Sequence, residues 1–171
     1  MIKEVVLKAL NEQVNAEYYS AYFYLTMSAY ADRTGFKGVA NWLFIQAQEE
    51  LAHGTHIYKH ILERGAATSF AVIELPPVTF ENIQDVFEKV LKHEQYVTER
   101  INKIASIAMR ENDHATYQFI LWYVNEQIEE ETTANEILSK IRLIGDNISM
   151  FYSLDAGLGN RVFNDPFATA N

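Results

Sequence analysis

Glu17 stands 33 residues before Glu50, and Glu94 stands 33 residues before Gln127. His53 follows Glu50 at i+3 and Glu130 follows Gln127 at i+3, so the two halves carry the same pattern, offset by 77 residues. Glu and His are metal-ligand types, and residues three apart on a helix share a face. Carboxylates facing a core are costly to bury as anions unless something compensates their charge. Glu17, Glu50, Glu94, Glu130 and His53, drawn together, are what a pair of bound cations needs. Carboxylate oxygens with one imidazole suit iron or manganese, with zinc as a possible inert occupant. A lone glutamate on a helix is usually a solvated surface residue. Equal spacing of the whole set on apolar stripes argues against that reading here.

The elements that must position these residues follow from apolar periodicity. A first helix over about 3–32 aligns Leu7, Leu10, Val14, Ala21, Tyr24 and Ser28, with Glu17 on the same stripe. A second over Lys37–Arg64 aligns Val39, Leu43, Gln46, Ile57 and Ile61, carrying Glu50 and His53, with Gly65 as its stop. A third over Glu81–Glu111 aligns Ile83, Phe87, Val90, Val97, Ile101 and Ala108 around Glu94. Asn112-Asp113 makes a short turn and an N-cap for a fourth, His114–Ile144, which carries Gln127 and Glu130. Gly145-Asp146-Asn147 breaks it, Ile148–Leu154 can form a short fifth helix, and an irregular tail follows. Residues 65–80, with Pro76-Pro77, read as an extended crossover. Two short connections and one long one predict an all-α four-helix bundle of the ferritin-like kind. A cytokine-type bundle needs two long crossovers. The expected division is a 1–155 domain and a 156–171 tail.

Composition bounds the function classes. A chain of 171 residues suits one domain, burying roughly 70% of its unfolded surface. With 49% hydrophobic and 22% charged residues it reads as globular. There is no Cys, which excludes disulfides and thiolate metal sites and is compatible with a reducing compartment. The net charge of −9 argues against nucleic acid and for cationic partners such as metal ions. MIKEVVLKALNEQ lacks the basic and apolar regions of a signal peptide, and no apolar stretch is long enough to span a membrane. A cytoplasmic protein without membrane contact is expected.

Several residues keep two readings. Gln127 is a weak ligand or a hydrogen-bond partner. Glu49, Glu126, Glu129 and Glu131 crowd the same faces, as a third metal position or as a solvated acidic surface. Tyr24 can hydrogen-bond a ligand, donate an electron or simply pack. Tyr18, Tyr19, Tyr22 and Tyr30 lie off the inner face and with Phe23 make the first helix two-sided, which argues for contact between subunits. Trp42 and Trp122 read as packing residues, and His56 and His60 as non-ligands.

The motifs NAEYYSAYFYL, QAQEELAH, the Glu of LKHEQYV, and WYVNEQIEEE resemble those of non-haem bacterial ferritins, over roughly residues 1–155. The resemblance implies a 24-subunit cage that oxidises Fe(II) with O2 inside each bundle and stores it as a ferric mineral. By position it implies one iron at Glu17, Glu50 and His53, and a second at Glu50 (as bridge), Glu94 and Glu130, with Gln127 close by. It further implies a third position at Glu49, Glu126, Glu129 and Glu130, an adjacent Tyr24, and a fifth helix lining the four-fold axis. Bacterioferritins carry a haem-ligating Met and a second Glu-x-x-His. Leu51 and Glu130 stand there instead, so no haem is expected. Eukaryotic heavy chains place carboxylates in three-fold channels where this chain has Tyr117 and Ile120. The rival classes are a cage that stores metal without fast oxidation, and a smaller di-metal oxidoreductase of the rubrerythrin kind. The latter family usually adds a Cys-rich iron domain.

Overall fold

A computed structural model of the chain describes residues 1–168. Its helices are α1 (Glu4–Arg33), α2 (Lys37–Glu63), α3 (Ile83–Arg110), α4 (His114–Ile144) and α5 (Ile148–Leu158). The tail expected over 156–171 therefore begins inside α5, and residues 169–171 of it lie outside the described residues. Lys3 bonds Glu111, Arg100 bonds Gln13, and Tyr24 bonds Glu94, so α1 and α3 run antiparallel. His60 faces Thr116, the His53 carbonyl accepts from Tyr123, and Gln46 bonds Glu130, so α2 and α4 do likewise. The segment between α2 and α3 has no regular structure and returns the chain along the bundle. Among the described residues no helix is long and apolar enough to cross a membrane.

Local chemistry sets the ends. Asn82, Asp113 and Asn147 cap α3, α4 and α5, each accepting from a backbone N–H three residues on. The Asn82 cap is why α3 starts at Ile83, two residues later than periodicity alone gives. The turn before α4 places Asn112 at φ 56°, a left-handed conformation that Asn tolerates. The first turn of α2 has no side-chain cap of its own. Asp155 of α5 supplies one, its Oδ1 accepting from Val39 N at 2.8 Å. That contact explains why α5 runs to Leu158, a turn past the expected Leu154: a tertiary bond holds a stretch whose glycines read as irregular.

Gly38 is where α5 presses closest on α2. A Cβ there would lie 1.7 Å from the Asp155 carbonyl oxygen. Gly38→Ala should gain about 1 kcal/mol of helix propensity yet push α5 away. Amide exchange over 148–158 should then quicken while α1–α4 stay protected. Unchanged protection in α5 would show that the close approach is dispensable.

The core is split. One apolar cluster contains Tyr24, Met27, Trp42, Leu43, Phe87 and Leu138. The other contains Leu10, Val14, Ile57, Ile61, Ile101 and Tyr123. On every long helix the acidic residues fall between the two clusters, so Glu17, Glu50, His53, Glu94, Gln127 and Glu130 form one buried polar layer. Each large apolar side chain sealed on either side contributes about 1.5–3 kcal/mol, which offsets the cost of that layer.

The two-sided character of α1 has a partly internal explanation. Phe23 is buried and packs against Phe80 and His93, and Tyr30 packs against Phe80. The crossover thus covers part of the second face, leaving Tyr22 and Leu25 exposed.

Candidate metal centre

Glu17, Glu50 and His53 each offer a ligand atom within 4.8 Å of the others, and all three are buried. The close approach of α1 and α2 at this level depends on Gly54, where a Cβ would lie 2.7 Å from the Tyr18 ring and 3.2 Å from Glu17 Cβ. His53 Nδ1 lies 3.8 Å from Glu50 Oε2, and its Nε2 lies 4.0 Å from Glu126 Oε1. Glu17 Oε2 and His53 Nε2 are buried without a hydrogen-bond partner among the described residues. Orphaned ligand atoms of this kind suit a bound cation, because leaving them unpaired is costly.

The rest of the layer adjoins this cluster. Tyr24 donates its hydroxyl to Glu94 Oε1. Gln127 Nε2 donates to Glu94 Oε2 at 3.1 Å and to the Glu94 carbonyl at 3.2 Å. Of the readings open to Tyr24 and Gln127, the hydrogen bonds are therefore present, and both converge on Glu94. Glu130 Oε2 accepts from Gln46 Nε2 at 2.9 Å. Glu17 Oε1 accepts from Gln13 Nε2 at 2.8 Å, and Gln13 in turn accepts from Arg100 Nε at 2.8 Å. Gln13 and Gln46 were not among the candidate residues. Their signal was a polar amide on an apolar stripe one turn from a ligand.

Electrostatics follows from burial. The Glu50 carboxyl is pushed well above its ordinary value by desolvation and by repulsion from Glu94 and Glu17. Glu130 is pushed well above for the same reasons, with Glu94 the main repelling charge. Glu94 rises to about 7 through burial. Burial also raises Glu17, against the lowering effect of its neighbours Glu50, Gln13 and Arg100. His53 falls to about 4 by burial, so its ring stays neutral and able to ligate at neutral pH. The Tyr24 phenol is pushed well up by burial and by Glu94, so it remains a donor.

The remaining acidic residues are less enclosed. Glu49 pairs with Arg161 of the tail, with Nη2 2.5 Å from Oε2. Glu126 is half-buried and Glu129 exposed. Burial and repulsion from Glu129 and Glu49 raise the Glu126 carboxyl. His56 stacks on Phe167 and bonds the Tyr123 hydroxyl, and His60 bonds Thr116. Trp122 packs between His53 and Phe167, and Trp42 against Phe87. Ile120 is fully buried in the core.

A four-helix bundle with one long crossover and a buried layer of carboxylates around a neutral histidine defines the di-metal carboxylate class. A family model described as the ferritin-like domain matches residues 7–144. The chain belongs to the ferritin family. It is 37% identical over 165 residues to the bacterial non-heme ferritin of Staphylococcus aureus, spanning 96% of this chain and 99% of that protein. The bacterial non-heme ferritin of Staphylococcus epidermidis is 38% identical over 165 residues. Among solved structures, the open pore ferritin of the archaeon Archaeoglobus fulgidus superposes with a TM-score of 0.93 at 44% identity, covering 95% of this chain and 99% of that one. A closed form of that ferritin, engineered by mutagenesis, gives 0.94 at 44%, covering 96% and 100%. The protein is an iron-storage ferritin with ferroxidase activity.

Proposed function

We propose that the buried polar layer is the ferroxidase centre and that it takes two Fe(II) ions per chain as substrate. Glu17, Glu50 and His53 hold one iron. Glu50 bridges to the second, which Glu94 and Glu130 hold. The observation that carries this reading is the buried Glu17–Glu50–His53 cluster with unpartnered ligand atoms beside two further buried carboxylates. Gln127 and Tyr24 position the Glu94 carboxylate, through the hydrogen bonds they donate to it.

Each Fe(II) gives one electron to O2, so a pair of irons yields a ferric product and peroxide. Anionic ligands favour the ferric state, and Gln127, being neutral, adds no charge to retain it. The ferric product then passes through a third position at Glu49, Glu126, Glu129 and Glu130 into a cavity and hydrolyses to an oxide mineral. The chain forms a homo-oligomer, and 24 subunits is the assembly its family implies. Leu51 is exposed and offers no sulfur ligand, in keeping with a haem-free cage. The protein works in the cytoplasm, and its one domain runs through α5 to Leu158 rather than ending at 155.

The test is anaerobic Fe(II) loading of metal-free protein followed by rapid mixing with O2. Oxidation within milliseconds to seconds that saturates near two or three Fe(II) per chain supports the centre. Slow, unsaturating oxidation no faster than buffer would leave a storage shell and remove the ligand assignment.

A further inference from the structure

Arg161 lies in the segment after α5, and nothing in the two-iron reaction uses it. Its Nη2 donates to Glu49 Oε2 at 2.5 Å, and its guanidinium carbon stands 4.8 Å from the centroid of the Trp42 ring. Its Nη1 is buried with no hydrogen-bond partner among the described residues. The backbone beneath it is pinned, because Asn41 Nδ2 donates to the Gly159 carbonyl at 3.3 Å and to the Arg161 carbonyl at 2.9 Å. Glu49 is one of the four carboxylates read above as the third metal position.

We propose that the Arg161 guanidinium is a tethered cation that holds the third metal position in the resting protein and must swing off Glu49 before a third ion can bind. This deepens the reading of the centre given above and rests on it. A guanidinium carries five donors in a fixed fork. Here one terminal nitrogen is bonded and the other is buried unpaired, a state that costs free energy. A divalent ion brings twice the charge to the same carboxylates, and the displaced guanidinium regains water. Because Asn41 fixes the backbone, only the side chain needs to move, and it returns when the ion leaves. The third ion therefore binds in competition with a built-in counter-charge. It is held more weakly than the carboxylates alone would hold it, which favours passage to the cavity over retention.

Zn2+ titration by calorimetry, on metal-free assembled wild type, Arg161→Gln and Arg161→Lys, reads this without any oxidation step. About two ions per chain should bind tightly in all three proteins. The third should bind about tenfold or more tighter in Arg161→Gln than in wild type, with Arg161→Lys near wild type. In wild-type crystals with excess Zn2+, an anomalous peak between Glu49 and Glu126 should coincide with a guanidinium turned away from Glu49. Equal third-ion affinity in all three proteins overturns the proposal. So does a third ion seen with Arg161 still bonded to Glu49, even if Arg161→Gln fails to fold. Two tight sites beside a third indifferent to Arg161 would remove this proposal and leave the centre standing. Absence of the two tight sites in wild type would remove the centre and this proposal with it.

Discussion

Glu50→Ala should abolish fast iron oxidation, slowing it by more than about 100-fold, since even a residue behind a metal ligand is worth 10–100-fold in affinity or activity. The assembled helical protein should otherwise persist. Glu50 adjoins the Glu17–His53 cluster and repels Glu94 and Glu130 across the layer, so in the proposed two-iron arrangement its loss would disconnect the two positions. The isosteric Glu50→Gln separates chemistry from stability. In metal-free wild type at neutral pH, the Glu50 carboxyl is forced toward its protonated form by burial and by its neighbours, at a cost to the fold. A neutral amide avoids that cost, so metal-free Glu50→Gln should melt higher than metal-free wild type. Added Fe(II) or Zn2+ should then raise its melting temperature far less than it raises the wild type's. Stopped-flow rates in either variant equal to wild type would displace Glu50 from the bridging role.

How much of this was legible in the sequence depended on periodicity. Glu17, Glu50, His53, Glu94 and Glu130 could be found because each interrupts an apolar helical stripe, and equal spacing across each connection sets them at one level. All of them are buried in the layer between the two apolar clusters. The bundle was legible for the same reason, with α4 bounded as expected and the other long helices within a few residues. Two kinds of contact were not. Gln13 and Gln46 act through bonds to Glu17 and Glu130, and an amide on a stripe gives no sign of which carboxylate it will meet. Arg161 and Phe167 follow α5 in a stretch without period, and what they touch depends on where α5 docks. That docking rests on Gly38 and on the bond from Val39 N to Asp155, which join positions 116 or more residues apart. Phe23 was misplaced in emphasis for a related reason. Its partner Phe80 lies in the irregular crossover, where no repeat announces a contact.

Metal loading should release protons at neutral pH, and the binding should weaken as pH falls through 7. Carboxylates at their ordinary value of 4.5 would already be ionised there and would release none. In this layer Glu94 sits at about 7, and Glu17, Glu50 and Glu130 are raised, each chiefly by burial. A cation binds the ionised form and displaces those protons. Apparent affinity should therefore fall by about tenfold per pH unit for each proton displaced. His53 contributes none, being neutral down to about 4.

The same shifts fix the stability of the metal-free protein. A carboxyl whose folded value is raised stabilises the fold fully below its unfolded value of 4.5, and that contribution is lost as pH rises through the folded value. The histidines act in the opposite sense. His53, His56 and His93, each lowered from 6.5 to about 4, remove stability as pH falls from 6.5 toward 4. Below 6.5 the two effects oppose each other, and above it the histidines are silent. From pH 6.5 upward, then, the metal-free melting temperature should fall as the layer ionises, while the Zn2+-loaded protein should stay nearly level. Calorimetric titrations of Zn2+ in buffers of different ionisation enthalpy count the protons released. A count of zero at pH 7, with pH-independent affinity, would mean that the layer is already ionised and hydrated before metal arrives.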